Sequence, residues 1–184
     1  MLVSSLLHRD LSNPVNKTNV HAHHMLPYKV SKGDSRGDLD LSFFRSSPDS
    51  DELFYPFDEK THKPFSIARF LESKLRWMTL GGQYDWTLKK YPTEQSPQLP
   101  SDIAKFVHTL FPDIYPEAAI MNIYKPGDYL SMHRDVSEEC DNALVSISLG
   151  CDGIFMAGLQ PDKESETRCI TLRLHSGDCV YLGG

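Results

Sequence analysis

The stretch MNIYKPGDYLSMHRD, Met121 to Asp135, decides how the chain is read. Its centre, Lys125-Pro126-Gly127-Asp128, puts proline and glycine where a type II turn wants them. The spacing predicts two strands around that turn, Ala118 to Tyr124 and Tyr129 to Asp135. Side chains two residues apart on a strand share a face. His133 and Asp135 then point one way, and Asn122 and Tyr124 share a face of the preceding strand. An imidazole beside a carboxylate suits a first-row divalent metal. An amide and a phenol next to it can hydrogen-bond a carboxylate ligand.

Downstream the chain continues as short strands. Leu144 to Leu149 (LVSISL) alternates apolar and polar, and Gly153 to Gly158 reads as another strand. Cys169 to Leu174, the turn Ser176-Gly177-Asp178, and Cys179 to Leu182 read as a hairpin. Upstream, Ile67, Phe70, Leu71 and Leu75 fall at helical spacing, predicting a helix from Pro64 to Lys74 with Pro64 in its first turn. Arg76 to Leu80 reads as a strand, broken by Gly81-Gly82 or marking a close backbone approach there. Ser101 is placed to cap a second helix with the stripe Ile103, Phe106, Val107 and Leu110, ended by Pro112. Ser4 to Leu11 reads as a short amphipathic helix and Asn13 to His24 as loop. SKGDSRGDLDLSFFRSSPDS, Ser31 to Ser50, reads as a mobile surface loop. The fold class expected is α+β: a β-sandwich or jelly roll with helices covering one sheet. Residues 1–63 are expected to form a loop-rich extension and 64–184 the main domain.

The bulk numbers exclude some functions. There is no apolar run near 18 residues, so no membrane-spanning helix is expected. The first residues, MLVSSLLHRDLS, are charged too soon for a signal peptide. Cys140, Cys151, Cys169 and Cys179 show no paired spacing and read as free thiols of an intracellular protein, in cytoplasm, nucleus or mitochondrion. A net charge of −6 argues against nucleic-acid binding through bulk charge. A local strip remains: Lys74, Arg76, Lys89 and Lys90 interleave with Trp77, Tyr84, Trp86 and Tyr91. The competing reading of that strip is a solvated face with core aromatics.

His-x-Asp alone is a weak signal, since it occurs by chance in many chains. Two histidines and one carboxylate on one face, with open positions opposite, form the facial triad of non-haem iron oxygenases. The third ligand has few candidates. His175 is nearest in sequence, and His21, His23 and His24 form a cluster whose competing reading is local capping and packing. His8, His62 and His108 stand isolated in the sequence.

NIYKPGDYLSMHRD, LVSISLG, GIFMAGLQ and LHSGDCVYLGG, in this order and at these distances, resemble the AlkB family of Fe(II)- and 2-oxoglutarate-dependent dioxygenases. The resemblance runs from about Arg76 to Gly184. RWMTLGGQYDWT and KTNVHAH (Lys17 to His23) look like the eukaryotic AlkB homologue 1 branch. It implies a double-stranded β-helix, and oxidation of a methyl group on a DNA or RNA base, which leaves as formaldehyde while 2-oxoglutarate becomes succinate. His133 and Asp135 would be iron ligands, and Asn122 and Tyr124 would hold 2-oxoglutarate. Trp77, Tyr84 and Trp86 would lie on a nucleotide-facing lid, with methylated DNA or tRNA as partner. The base must leave its stack or come from a single-stranded region.

The family places its second iron histidine, and an arginine for the far carboxylate of 2-oxoglutarate, beyond the residues that match Gly184. The expectation is therefore a jelly roll incomplete at its C-terminal end, binding iron weakly and turning over little as these residues alone. Two other expectations remain: a non-catalytic jelly roll that binds nucleic acid or protein, and a jelly-roll hydroxylase acting on protein or small molecules. Oligomeric state is not legible.

Overall fold

Phe43, Phe54, Phe65 and Phe70 stack into the centre of the N-terminal part, all buried. Ring centroids lie 5.8 Å apart for Phe43–Phe54, 5.4 Å for Phe43–Phe70, 4.7 Å for Phe54–Phe70 and 5.1 Å for Phe54–Phe65. A computed structural model describes residues 2–27, 42–45, 52–82, 96–133, 143–159 and 168–183. They fall into two compact units, Met1–Tyr129 and Leu130–Gly184.

In the first unit α1 (Leu2–Ser4) runs on as a wider helical turn, Ser5–Asp10. β1 (His24–Met25), β2 (Leu53–Pro56) and β3 (Phe65–Ser66) form an antiparallel sheet in that order. α2 (Ile67–Arg69) continues as the wider turn Phe70–Lys74. β4 (Trp77–Gly81) then pairs antiparallel with β5 (Ala118–Asn122), and α3 (Ser101–Leu110) lies between them in sequence.

β4 is held from both edges. On one side β5 pairs with it from Trp77↔Asn122 to Gly81↔Ala118. On the other, Thr18 bridges Met78, the Thr79 N–H donates to the Lys17 carbonyl at 2.7 Å, and Asn19 N–H reaches the Trp77 carbonyl at 3.4 Å. Lys17–Asn19 thus line the second edge of β4 through one isolated bridge, and Met78, Thr79 and Leu80 are all buried. Each large apolar side chain buried this way contributes about 1.5–3 kcal/mol. Arg9 locks the N-terminal turn down: its guanidinium makes paired hydrogen bonds to Asp10 (2.7 and 2.9 Å) and to Asp102 on α3 (2.8 and 3.0 Å).

Gly81 marks the close approach expected of it. Its φ is 68°, and a Cβ there would stand 2.2 Å from the Glu117 carbonyl oxygen. Gly81→Ala is therefore expected to lower unfolding free energy by about 2 kcal/mol. A urea melt of that variant indistinguishable from the parent would refute the contact.

Several sequence expectations are corrected here. The helix expected from Pro64 starts at Ile67, because Phe65–Ser66 pair with β2 and the Ser66 hydroxyl caps the helix by accepting Arg69 N–H at 3.2 Å. Ser101 is the first residue of α3 rather than its cap; Pro100 holds that position with no side-chain bond. On α3 only Ile103 and Val107 are buried, while Phe106 and Leu110 are exposed. Within the expected surface loop Ser31 to Ser50, Phe43–Arg45 form a short 3-10 turn and Phe43 is core; the rest of that stretch, apart from the buried Ser42, lies outside the described residues. β5 stops at Asn122, and Tyr129 to His133 carry no strand pairing.

The second unit holds two ladders, one inside the other in sequence. β7 (Gly153–Leu159) pairs with β8 (Arg168–Leu174), and β6 (Leu144–Ile147) pairs with β9 (Cys179–Leu182). The expected hairpin between Cys169–Leu174 and Cys179–Leu182 is thus corrected. The turn is there, with Asp178 N–H on the His175 carbonyl at 3.0 Å and Gly177 at φ 99°. Its outward bonds go to Ser148, however: Gly177 N–H donates to the Ser148 carbonyl (2.7 Å) and Ser148 N–H to the Asp178 carbonyl (2.9 Å). The chain therefore leaves one ladder and enters the other at this corner. No described residue of this unit is buried. Cys151, Cys169 and Cys179 are free thiols, as expected, and Cys140 lies outside the described residues. No described helix is long and apolar enough to cross a membrane.

Candidate functional site

Asn122 closes β5 directly opposite Trp77 on β4. Opposed residues of an antiparallel pair project to the same face. A candidate co-substrate residue and a candidate substrate residue are thereby brought together. One more ladder bond follows, Ile123 N–H to the Arg76 carbonyl at 2.8 Å. Tyr124 then leaves the sheet, about half exposed, and the partial burial it keeps raises its phenol above the ordinary tyrosine range.

The turn after Tyr124 forms as the sequence predicts. Asp128 N–H donates to the Lys125 carbonyl at 2.9 Å, and Gly127 sits at φ 89°. The Asp128 carboxylate accepts Lys125 N–H at 2.9 Å and pairs with the Arg76 guanidinium. The Lys125 N–H bond first, and Arg76 after it, hold that carboxyl below the usual carboxylate range.

In the second unit His133 is exposed, and its Nδ1–H donates to the Ser131 carbonyl at 2.7 Å. A carbonyl only accepts, so the bond fixes the tautomer and leaves the lone pair of the neutral ring on Nε2. This is the arrangement in which imidazole ligates a metal: one nitrogen donates to a carbonyl and the other faces the ion. Asp135, Tyr84 and Trp86 lie outside the described residues. Among the described residues no cluster of three His, Cys, Asp or Glu is arranged to hold a metal.

The other histidines have local partners. His175 Nδ1 bonds Asp152 at 2.9 Å, and Asp152 also accepts two bonds from Arg173, at 3.0 and 2.7 Å. Asp152 raises the His175 imidazole above its ordinary value. His23 stacks on His62 with centroids 4.5 Å apart, and His24 meets His62 edge-on at 5.5 Å, so His62 is not isolated as its sequence context implied. His24 Nε2 donates to the Lys63 carbonyl at 3.2 Å. His8 hydrogen-bonds the Ser42 hydroxyl at 2.9 Å, and His108 Nδ1 donates to the Ile114 carbonyl at 3.1 Å.

His21 is the most perturbed of them. Its Nδ1 accepts Thr18 N–H at 2.9 Å and the Thr18 hydroxyl at 2.8 Å, which pins the turn that lays Thr18 against β4. Burial, with Lys17 nearby, pushes the imidazole down to about 4 from 6.5. The unfolded chain then binds a proton that the folded chain refuses between these values, so stability falls as pH drops through that window. The loss attributable to His21 is expected to be about 2–3 kcal/mol, partial exposure having trimmed the full linkage value. Denaturation curves of the parent and His21→Gln between pH 7 and 4 check this: the parent alone should show the added loss. Parallel pH profiles would rule it out.

Sequence reasoning missed Arg76 and Asn19 as parts of this site. Asn19 Oδ1 accepts Arg76 N–H at 2.8 Å and Trp77 N–H at 3.4 Å, while its Nδ2 donates to the Lys74 carbonyl at 2.8 Å. Arg76 entered the reading as one charge of a basic strip and as the start of a strand, with no partner assigned to its side chain. Its pairing with Asp128 spans 52 residues and leaves no local pattern.

Residues 38–184 match the family profile described as the 2OG-Fe(II) oxygenase superfamily. The chain is 48% identical, over 98% of its length and 55% of the relative's, to "N6-methyladenosine RNA demethylase ALKB1" of Pyricularia oryzae. It is 47% identical, over 89% of its length and 75% of the relative's, to "N6-methyladenosine RNA demethylase ALKBH" of Cryphonectria parasitica. It is 37% identical, over 100% of its length and 59% of the relative's, to "tRNA demethylase abh1" of Schizosaccharomyces pombe. The chain thus spans between about half and three quarters of the length of these relatives. The motifs read from the sequence, the antiparallel sheets and the breadth of these matches agree: the chain belongs to the 2OG-Fe(II) oxygenase superfamily, in the AlkB homologue 1 branch.

Proposed function

We propose that this protein is an Fe(II)- and 2-oxoglutarate-dependent demethylase acting on N6-methyladenine in RNA. The similarity at 47–48% to two proteins named as N6-methyladenosine RNA demethylases carries this reading. The bond of His133 Nδ1 to the Ser131 carbonyl supports it, since in the neutral ring that tautomer carries its lone pair on Nε2. His133 and Asp135 would hold Fe(II), and Asn122 and Tyr124 would hold 2-oxoglutarate. When bound, iron and its co-substrate supply the oxidising power; the protein's part is position and exclusion of water. Trp77, beside Asn122, offers an aromatic surface for a base out of its stack, with Tyr84 and Trp86 as further candidates. Residues 64–184 would carry this machinery and residues 1–63 would brace it through Lys17–Asn19 on β4. The nesting of β7–β8 within β6–β9 supports a double-stranded β-helix as the scaffold.

The test is succinate and formaldehyde release with Fe(II), ascorbate and 2-oxoglutarate on three substrates: N6-methyladenosine RNA, methylated tRNA, and N6-methyladenine DNA. Release on the first in excess of the others supports the proposal. Preference for tRNA or DNA moves the substrate while keeping the chemistry. No release, with no iron uptake in an anaerobic titration, favours a non-catalytic binding role.

A further inference from the structure

We propose that Arg76 is a two-ended brace that presets Tyr124 and Asn122 for 2-oxoglutarate, which makes Arg76 and Asp128 positioning residues; this rests on the co-substrate assignment made above. Arg76 touches the segment after β5 twice. Its carbonyl accepts Ile123 N–H at 2.8 Å, and its guanidinium pairs with Asp128. Tyr124 lies between those two contacts. The carboxylate that Arg76 grips is also the one that closes the turn, through Lys125 N–H at 2.9 Å. Arg76 is itself anchored: Asn19 accepts its N–H at 2.8 Å and donates to the Lys74 carbonyl at 2.8 Å. Its neighbour Trp77 is the register partner of Asn122. One residue therefore fixes the backbone before Tyr124, the turn after it, and the strand position facing Asn122.

An ordinary surface ion pair contributes little, because two long side chains lose their freedom for a screened attraction. This pair differs in what it encloses. Without it the five residues from Tyr124 to Asp128 keep only their own turn bonds, and a half-exposed phenol must be ordered when the ligand arrives. Ordering a segment in advance removes that cost from binding. A merely structural pair would change the melting temperature and leave co-substrate affinity alone.

The experiment compares the parent protein with Arg76→Gln, Asp128→Asn and Arg76→Lys. Asp128→Asn keeps an acceptor for Lys125 N–H but loses the ion pair. The first readout is 2-oxoglutarate binding by calorimetry with Mn(II), which is inert to turnover. The second is hydrogen exchange of the Lys125 and Asp128 amides in protein without metal or co-substrate. The third is kcat against the KM for 2-oxoglutarate. Expected for Arg76→Gln and Asp128→Asn are about 5–20-fold weaker 2-oxoglutarate binding and faster exchange in the turn. KM should rise in step while kcat at saturation stays within about twofold. Arg76→Lys should recover most of the loss, since it keeps the charge. Parent-like affinity and exchange in both folded variants overturns the brace, as does a fall in kcat with KM unchanged. A parent protein that binds no 2-oxoglutarate with Mn(II) overturns the co-substrate assignment itself, a result distinct from the first two.

Discussion

Phe43→Ala is expected to lower the unfolding free energy by about 3–5 kcal/mol. Phe43 is 2% exposed, with rings of Phe54 and Phe70 within 6 Å of its own. Truncation removes the transfer energy of the ring and opens a cavity that the fixed rings of Phe54 and Phe70 cannot collapse to fill. Phe54 and Phe70 are tied into β2 and the turn after α2, so neither moves inward cheaply. Adjacent Phe44 supplies the control: it is 47% exposed and meets the His8 ring edge-on, 5.2 Å away. Its alanine variant should lose less than about 1 kcal/mol. Urea midpoints of both variants decide the matter, and equal losses would mean that the short turn Phe43–Arg45 is not part of the core.

The second large effect is chemical. On the proposed assignment of His133 as an iron ligand, His133→Ala is expected to reduce demethylation by about a hundredfold or more, because a metal site loses affinity and geometry with each ligand removed. His175→Ala should leave turnover nearly unchanged, since its imidazole is engaged with Asp152 at a corner between ladders. Formaldehyde release with saturating Fe(II), alongside anaerobic iron titration of each variant, separates the two. A silent His133→Ala beside a dead His175→Ala would reverse the assignment. His133→Gln keeps a polar side chain without the imidazole lone pair and should resemble alanine.

The elements legible in the sequence are those whose signal is local. Alternation marks β6, short apolar runs mark β5 and β7, and Pro126-Gly127 marks the turn before His133, because side-chain pattern and φ preference act within a few residues. Gly81-Gly82 announced either a strand break or a close approach, and the Glu117 carbonyl decides for the approach. What was lost depends on distant partners. Phe43 sits in a run of Ser, Asp and Gly that carries no period, and distant partners, the rings of Phe54 and Phe70 among them, make it core. Ser176-Gly177-Asp178 announces that the chain reverses but not which ladder receives it; Ser148 decides that. Pro64 and Ser66 are both good helix starters, and pairing of Phe65–Ser66 with β2 settles the contest in favour of Ser66.

At the candidate site the sequence offered candidate residues but not their supports. Spacing put Asn122 and Tyr124 on one strand face and set His133 apart as a candidate metal ligand. Nothing in those patterns showed that Asn19, 57 residues before Arg76, holds the backbone of Arg76 and Trp77. The local reading of the His21, His23 and His24 cluster holds for His21, whose Nδ1 bonds Thr18.

The nested ladders of the second unit also fix an order of events in time. From an open chain, bringing Ile147 to Cys179 means closing a long loop, and its entropy is lost before any bond repays it. β7 and β8 face a much shorter closure, between Leu159 and Arg168. Once they have zipped, the ends at Gly153 and Leu174 lie side by side, and only the short turns leading to Ile147 and Cys179 remain to be ordered. Assembly of this unit therefore runs from the inner ribbon outward. Weakening β7 or β8 should slow refolding, whereas weakening β6 or β9 should chiefly hasten unfolding.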